Sequence, residues 1–191
     1  MIILINGPPS SGKDTAARFI RKYLGAREYK MSMTLKSGLR ELLGIEHPDW
    51  DRMLAYGAKD TEWNSLNDMT PRRALIELSE MFMKPMFGGD IFGHVAVRRM
   101  KRMVSADHIV VSDVGFTYEV PPILEEWGHK KVRILKLERP GCDFTDDSRG
   151  YIDVDQLKMG AYWKSINNQY DLELFEAQVK SVLKEWELYM I

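Results

Sequence analysis

Gly7, Ser10, Ser11, Gly12, Lys13 and Thr15 are the residues whose types and spacing most directly imply chemistry. They lie in Gly7-Pro8-Pro9-Ser10-Ser11-Gly12-Lys13-Asp14-Thr15. This stretch fits the spacing G-x-x-x-x-G-K of a phosphate-binding loop. The apolar run Met1-Ile2-Ile3-Leu4-Ile5 precedes it, and Ala16, Ala17, Phe19, Ile20 and Tyr23 recur behind it at helical spacing. Strand, glycine-rich loop and helix is the context in which the spacing carries that meaning. The glycines let the backbone curl so that the N–H groups of Ser10 to Lys13 point at phosphate oxygens. The helix start adds positive potential. Lys13 then reaches the β- and γ-phosphates of a nucleoside triphosphate. Asp14 stands where Ser or Thr usually gives a hydroxyl to Mg²⁺. Either Thr15, one residue later, takes that role, or Asp14 serves the metal through a water.

A second chemical group ends another apolar run. His108-Ile109-Val110-Val111-Ser112-Asp113 reads as a buried parallel strand that delivers a carboxylate to the carboxyl edge of a sheet. The four histidines, His47, His94, His108 and His129, have no metal-ligand spacing. Arg98, Arg99, Lys101 and Arg102 read as a solvated helix face, with a track for DNA phosphates as the sharper reading.

These groups need elements to hold them. Strands are expected at Met1–Asn6, Glu28–Ser32, His108–Asp113, Lys131–Leu137 and Ala161–Ile166. Helices are expected at Gly12–Leu24, Thr34–Leu43, Pro71 to Pro85, Ile91–Met100, Glu119–Trp127 and Leu172–Tyr189. Thr70 caps the third of these, and Pro85 with Gly88-Gly89 ends it. Leu174, Phe175, Val179, Val182, Leu183 and Trp186 form the apolar face of the last. Met81, Met83 and Met86 read as core or pocket lining. Glu46 to Asp68 reads as loops with short helices. Strands alternating with helices after a phosphate loop imply a three-layer α/β fold with a parallel sheet.

Bulk properties restrict the rest. The 191 residues suit one domain, 45% are hydrophobic and 29% charged, and the net charge is −1. That composition is globular, with no overall pull toward nucleic acid. One cysteine, Cys142, leaves no internal disulfide and fits a reducing cytoplasm. No apolar run reaches the roughly 18 residues of a membrane span, and the first strand starting at Met1 leaves no leader.

Several segments resemble the deoxynucleoside monophosphate kinases of bacteriophages, within the P-loop nucleotide kinases. Gly12-Lys13-Asp14-Thr15 is similar to their G-K-D-T. Thr34-Leu35-Lys36 with Leu39-Arg40-Glu41-Leu42-Leu43-Gly44 resembles P-L-K…L-R-E-L-F-G. Thr70-Pro71-Arg72-Arg73, Leu78-Ser79-Glu80 and Phe87-Gly88-Gly89-Asp90-Ile91-Phe92 resemble P-R…L-G-T-E…F-G-x-D-x-W. Asp113-Val114-Gly115-Phe116 stands where the family has D-V-R-F, and Glu138-Arg139-Pro140-Gly141 matches R-P-G before a lid. Three departures fall on the acceptor or lid side. Gly115 replaces an arginine, Ser79 stands in a reduced L-G-T-E, and Asp146-Asp147-Ser148-Arg149-Gly150 replaces D-x-H-x-x-E.

The resemblance implies one kinase domain over 1–191. Its core is 1–33 and 105–191, with a helical acceptor-side insertion over about 34–104 and a lid over about 139–160. It implies ATP and Mg²⁺ as cofactors, with Asp113 holding Mg²⁺ through water, or acting as base if the acceptor is a hydroxyl. Arg72, Arg73 and Glu80 would bind the acceptor, Arg139 and Arg149 would bring lid cations to the phosphates, and Asn167 with Asn168 would edge the adenine. Gly115 would leave space on the acceptor side. The implied acceptor is a deoxynucleoside 5′-monophosphate. Related phage enzymes phosphorylate the hydroxyl of 5-hydroxymethyluracil in DNA, so DNA is the alternative partner. A nucleotide-binding switch is the reading from another class. The resemblance implies the cytoplasm of an infected host and no membrane partner, and leaves a homodimer open.

Overall fold

Every residue of β1 (Ile2–Asn6) is buried. A strand apolar on both faces belongs at the centre of a covered parallel sheet. The computed structural model puts it there. It describes residues 1–191 except Tyr56, Val104, Ser105, Asp146, Tyr170, Met190 and Ile191. The other strands are β2 (Arg27–Tyr29), β3 (Ile109–Val111), β4 (Val132–Glu138) and β5 (Trp163–Asn167). All pairings among them are parallel, in the order β2-β3-β1-β4-β5. Leu4 stands opposite Val111 on one side and Ile134 on the other. A parallel sheet in this order, with a phosphate-loop sequence after its central strand, is the three-layer α/β arrangement the sequence implies.

Helices cover both faces. On one, α1 (Lys13–Leu24) and α8 (Leu172–Glu185) bury Ala16, Ala17, Phe19, Ile20, Phe175, Val179, Val182 and Leu183 with Ile3, Ile5, Leu135 and Leu137. Leu174, expected on that apolar face, is exposed instead. It sits one position, about 100°, from Phe175, and the buried set 175, 179, 182, 183 and 186 defines the stripe without it. Side chains alternate along a strand, so Ile2 and Leu4 serve the opposite face. That side receives α7 (Pro121–Trp127), which packs on β4.

The chain divides into two compact units. The sheet unit is Met1–Met31 with 92–191, and the second is Ser32–Ile91. Almost all of α6 (Ile91–Met100) counts with the sheet unit because Phe92, Gly93, Ala96 and Met100 are buried there. Gly93 shows why. A Cβ at this position would lie 2.3 Å from the Glu119 carbonyl oxygen and 3.1 Å from Pro122 Cγ. Backbone cannot yield as a flexible side chain can, so Gly93→Ala is expected to destabilise the protein by about 1–3 kcal/mol. Thermal unfolding of the variant checks this, and an unchanged midpoint would contradict it.

The second unit carries α2 (Ser32–Leu43), α3 (His47–Leu54), α4 (Pro71–Glu77) and α5 (Lys84–Phe87). Leu39, Trp50, Met53, Leu66 and Ala74 make its own small core. The 46–68 stretch has the loops and short helices expected of it, at His47–Leu54, Ala58–Asp60 and Asn64–Leu66, and is packed through Trp50, Met53 and Leu66. Pro85 does not end a helix. The chain stays helical through it, by way of a π-helical stretch at Leu78–Met83, and stops at Gly88 with φ 98°. The wider turn before Pro85 gives its ring room and absorbs the missing N–H. Met81 is 72% exposed and Met86 65%, so neither is the core lining expected of them.

Candidate nucleotide and phosphoryl-transfer site

In a parallel sheet every strand ends at the same edge, and loops leaving that edge meet. β1 ends at Asn6, β2 leads to Lys30, β3 to Asp113, β4 to Arg139 and β5 to Asn168. The sheet order thus places the phosphate loop beside Asp113 and Arg139, residues far along the chain from it.

The loop has the shape its sequence implies. Ser10 and Gly12 hold positive φ of 62° and 102°. A Cβ on Gly12 would lie 2.7 Å from Asn168 Nδ2, and one on Gly7 would lie 2.7 Å from the Leu137 carbonyl. Both positions need glycine for close approach, and Gly12 needs it for its conformation as well. Asn168 Nδ2 donates to the Ser11 carbonyl at 3.0 Å, and Arg139 donates to the Ser10 carbonyl at 2.8 Å. Asn168 therefore braces the loop from beneath, while Asn167 is exposed at the end of β5, in register with Glu138. Ser10, Gly12, Lys13, Asp14, Thr15 and Arg139 line a cleft of about 320 Å³. A larger hollow, bordered by Met1, Lys101, Glu126 and Trp127, opens at the other edge of the sheet.

Lys13 folds back over the loop and donates to the carbonyls of Gly7 (2.7 Å) and Pro8 (2.6 Å). Burial, then the nearby Arg149 charge, push its pKa down to about 8. A phosphate ligand favours the ammonium form. Nucleotide binding is therefore expected to take up about half a proton at pH 8, where free Lys13 is half charged. Affinity is full below pH 8 and declines as pH rises through it. Calorimetry in buffers of different ionisation enthalpy measures the uptake, and a value of zero at pH 8 would contradict the assignment.

Asp14 is 80% exposed and pairs with Lys30 at 2.6 Å. Asp113 Oδ1 accepts the Met31 N–H at 2.7 Å, which fixes the carboxylate at the strand end. No group of three or more His, Cys, Asp or Glu side chains able to hold a metal occurs among the described residues. The donors present suit Mg²⁺ brought by a nucleotide, because that ion keeps waters and takes few protein ligands.

Arg149 comes from the segment expected to be a lid. Gly150 N–H donates to the Gly115 carbonyl at 3.1 Å. Asn6, fully buried, donates from Nδ2 to the carbonyls of Val114 and Gly150 at 3.0 Å each, and accepts the Ile152 N–H at 2.9 Å. Arg149 forks onto Asp147, Nε to Oδ1 at 2.8 Å. That pair holds the Asp147 carboxyl below its usual range and raises the Arg149 pKa. The space expected above Gly115 is filled, because a Cβ there would lie 2.4 Å from Arg149 Cδ. Ile152, Val154, Leu157 and Met159 are buried, which ties the later part of 139–160 to the core. Asp146 lies outside the described residues.

Lys13, Asp113, Arg139 and Arg149 thus belong to the sheet unit. Arg72, Arg73 and Glu80 belong to the second unit. Arg72 pairs with Asp60 at 2.5 Å and Arg73 with Glu77 at 3.6 Å, and Glu80 accepts from Lys84 at 2.5 Å. Of the basic cluster, Arg98 and Arg99 are exposed and Lys101 pairs with Glu126 at 2.7 Å. Sequence reasoning missed Asn6, Lys30 and Asp147. An asparagine closing a wholly apolar strand was the readable signal for Asn6.

Among the described residues, no helix is long and apolar enough to cross a membrane. No family model and no curated protein matches the sequence. Solved structures are similar to this chain, two of them as follows. The TT1252 protein of Thermus thermophilus shares 20% identity over 97% of each chain, with a TM-score of 0.50. A gluconokinase from Sinorhizobium meliloti shares 13% identity over 96% of this chain and 91% of its own, with a TM-score of 0.44. At such identity the first is a likeness of fold alone, and the second is too loose to carry an argument.

Proposed function

We propose that this chain is an ATP- and Mg²⁺-dependent kinase that transfers the γ-phosphoryl group to a deoxynucleoside 5′-monophosphate. The observation that carries this reading is the meeting of the phosphate loop, Lys13, Asp113, Arg139 and Arg149 at one sheet edge. Phosphoryl transfer asks a protein mainly for positioning and for neutralisation of moving charge. The loop N–H groups of Ser10 to Lys13 would hold the β- and γ-phosphates, with the Lys13 ammonium bridging them. Bound Mg²⁺ would supply charge neutralisation on the phosphate oxygens. Thr15 and, through water, Asp113 would hold it. Arg139 keeps Ser10 in its loop conformation and borders the cleft. Arg72, Arg73 and Glu80 are the acceptor-side candidates, and the resemblance to phage enzymes is what suggests a deoxynucleotide.

Asp14 is already paired with Lys30, which favours Thr15 as the metal-side residue. Thr15→Ala is therefore expected to raise the Mg²⁺ requirement about tenfold, and Asp14→Asn to change it less than about twofold. A Mg²⁺ titration of the transfer rate decides between them, and the reverse order would make Asp14 the metal-side group.

The acceptor is tested with a panel of free deoxynucleoside monophosphates beside hydroxymethylated and plain DNA. The proposal expects product on a free monophosphate, with its KM raised strongly by Arg72→Ala or Arg73→Ala. Product on hydroxymethylated DNA alone, with binding that falls steeply with salt, would replace the acceptor assigned here.

A further inference from the structure

We propose that Arg149 is a phosphate-facing cation built into the sheet edge, with Gly115 as its seat and Asp147 as its positioning residue, rather than a cation carried in on a moving lid. The inference deepens the kinase reading and rests on it. Its basis is steric. The Gly115 backbone is not in the left-handed region, so any residue could adopt it. What Gly115 provides is space, for a Cβ would meet Arg149 Cδ at 2.4 Å, Cγ at 2.6 Å and Cβ at 3.2 Å. The aliphatic stem of Arg149 lies flat on this glycine, two residues beyond Asp113.

The backbone around the arginine is tied as firmly. Gly150 is bonded to Gly115, and both neighbouring segments hang on Asn6, the residue before the phosphate loop. Such a seat lets the guanidinium face the loop with little conformational entropy left to lose on binding. Asp147 completes it. Its carboxylate takes the Arg149 fork through Nε and a terminal nitrogen and also accepts the Arg149 backbone N–H at 3.0 Å. The arginine is thereby locked in one rotamer, with its remaining donors for a phosphoryl oxygen. The electrostatic coupling of Arg149 to both Lys13 and Asp113 places it within the field of the same site.

The test compares affinity for Mg·ADP with affinity for Mg·ADP–fluoroaluminate, a mimic of the phosphoryl group in transfer, so no acceptor is needed. Arg149→Ala is expected to weaken the fluoroaluminate complex about 100-fold and Mg·ADP less than about threefold. Asp147→Asn, which keeps size and shape, is expected to give about tenfold on the same complex, and Gly115→Ala a comparable loss. In the Arg149→Gly background, Gly115→Arg is expected to recover most of the lost affinity, because the new side chain starts in the vacated space. A merely structural role predicts equal losses for both ligands and no recovery. Either result overturns the proposal, as does an unchanged Asp147→Asn or Arg149→Ala protein. If wild-type protein binds neither nucleotide complex, the kinase reading falls and this one with it. If it binds both and the variants bind likewise, only the Arg149 assignment falls.

Discussion

Replacement of Lys13 by alanine is expected to abolish phosphoryl transfer while the protein remains folded. The side chain sits at the mouth of the loop, held by the Gly7 and Pro8 carbonyls at 2.7 and 2.6 Å. Those contacts are part-buried hydrogen bonds to the loop backbone and not packing among the apolar core residues, so their loss leaves the core in place. In the proposed reaction the ammonium would be the loop's own charge for the bridging oxygens of the donor. Loss of one such preorganised cation removes about 3–4 kcal/mol of transition-state stabilisation, a rate decrease of roughly 10²–10³-fold. Steady-state turnover together with a thermal melt measures both halves of this expectation. A folded variant that keeps most of the wild-type rate would remove Lys13 from the donor site.

Asp113→Asn is expected to lower turnover about 100-fold and leave ATP binding close to wild type. The substitution separates two duties of one side chain. The amide oxygen can still accept the Met31 N–H that Asp113 Oδ1 now accepts at 2.7 Å, so the strand end keeps its anchor. The negative charge that would hold the Mg²⁺ waters is gone. Turnover at the wild-type rate would reduce Asp113 to a cap on the strand end.

The parts of this site that a sequence shows are those whose chemistry is local. Ile2 to Thr15 reads directly as strand, loop and helix, because the loop's function requires neighbours along the chain. Asp113 is readable as the end of an apolar run. What stays hidden depends on partners far along the chain. The order β2-β3-β1-β4-β5 brings Arg139 to Ser10 and Asn168 to Ser11, and no local pattern announces either pairing. Asn6 is readable as the end of an apolar run, but its full burial and its bonds to Val114, Gly150 and Ile152 are not. The 149–159 segment is polar at most positions, yet Ile152, Val154, Leu157 and Met159 all point inward. Their spacing matches neither 2 nor 3.6 residues, so periodicity has nothing to register. Pro85 misleads for a related reason, since a π-helical stretch removes the conflict that ordinarily ends a helix.

The central claim is that the loop at the end of β1 binds ATP and passes its γ-phosphoryl group to an acceptor. The measurement that tests it most directly follows γ-labelled ATP with Mg²⁺, with and without deoxynucleoside monophosphates, for the wild-type and Lys13→Ala proteins. The predicted result is label in a deoxynucleoside diphosphate, formed only with acceptor present and only by the protein that keeps Lys13. Label released as inorganic phosphate at the same rate with and without any acceptor would contradict the claim, and would mark a slow hydrolysing switch instead.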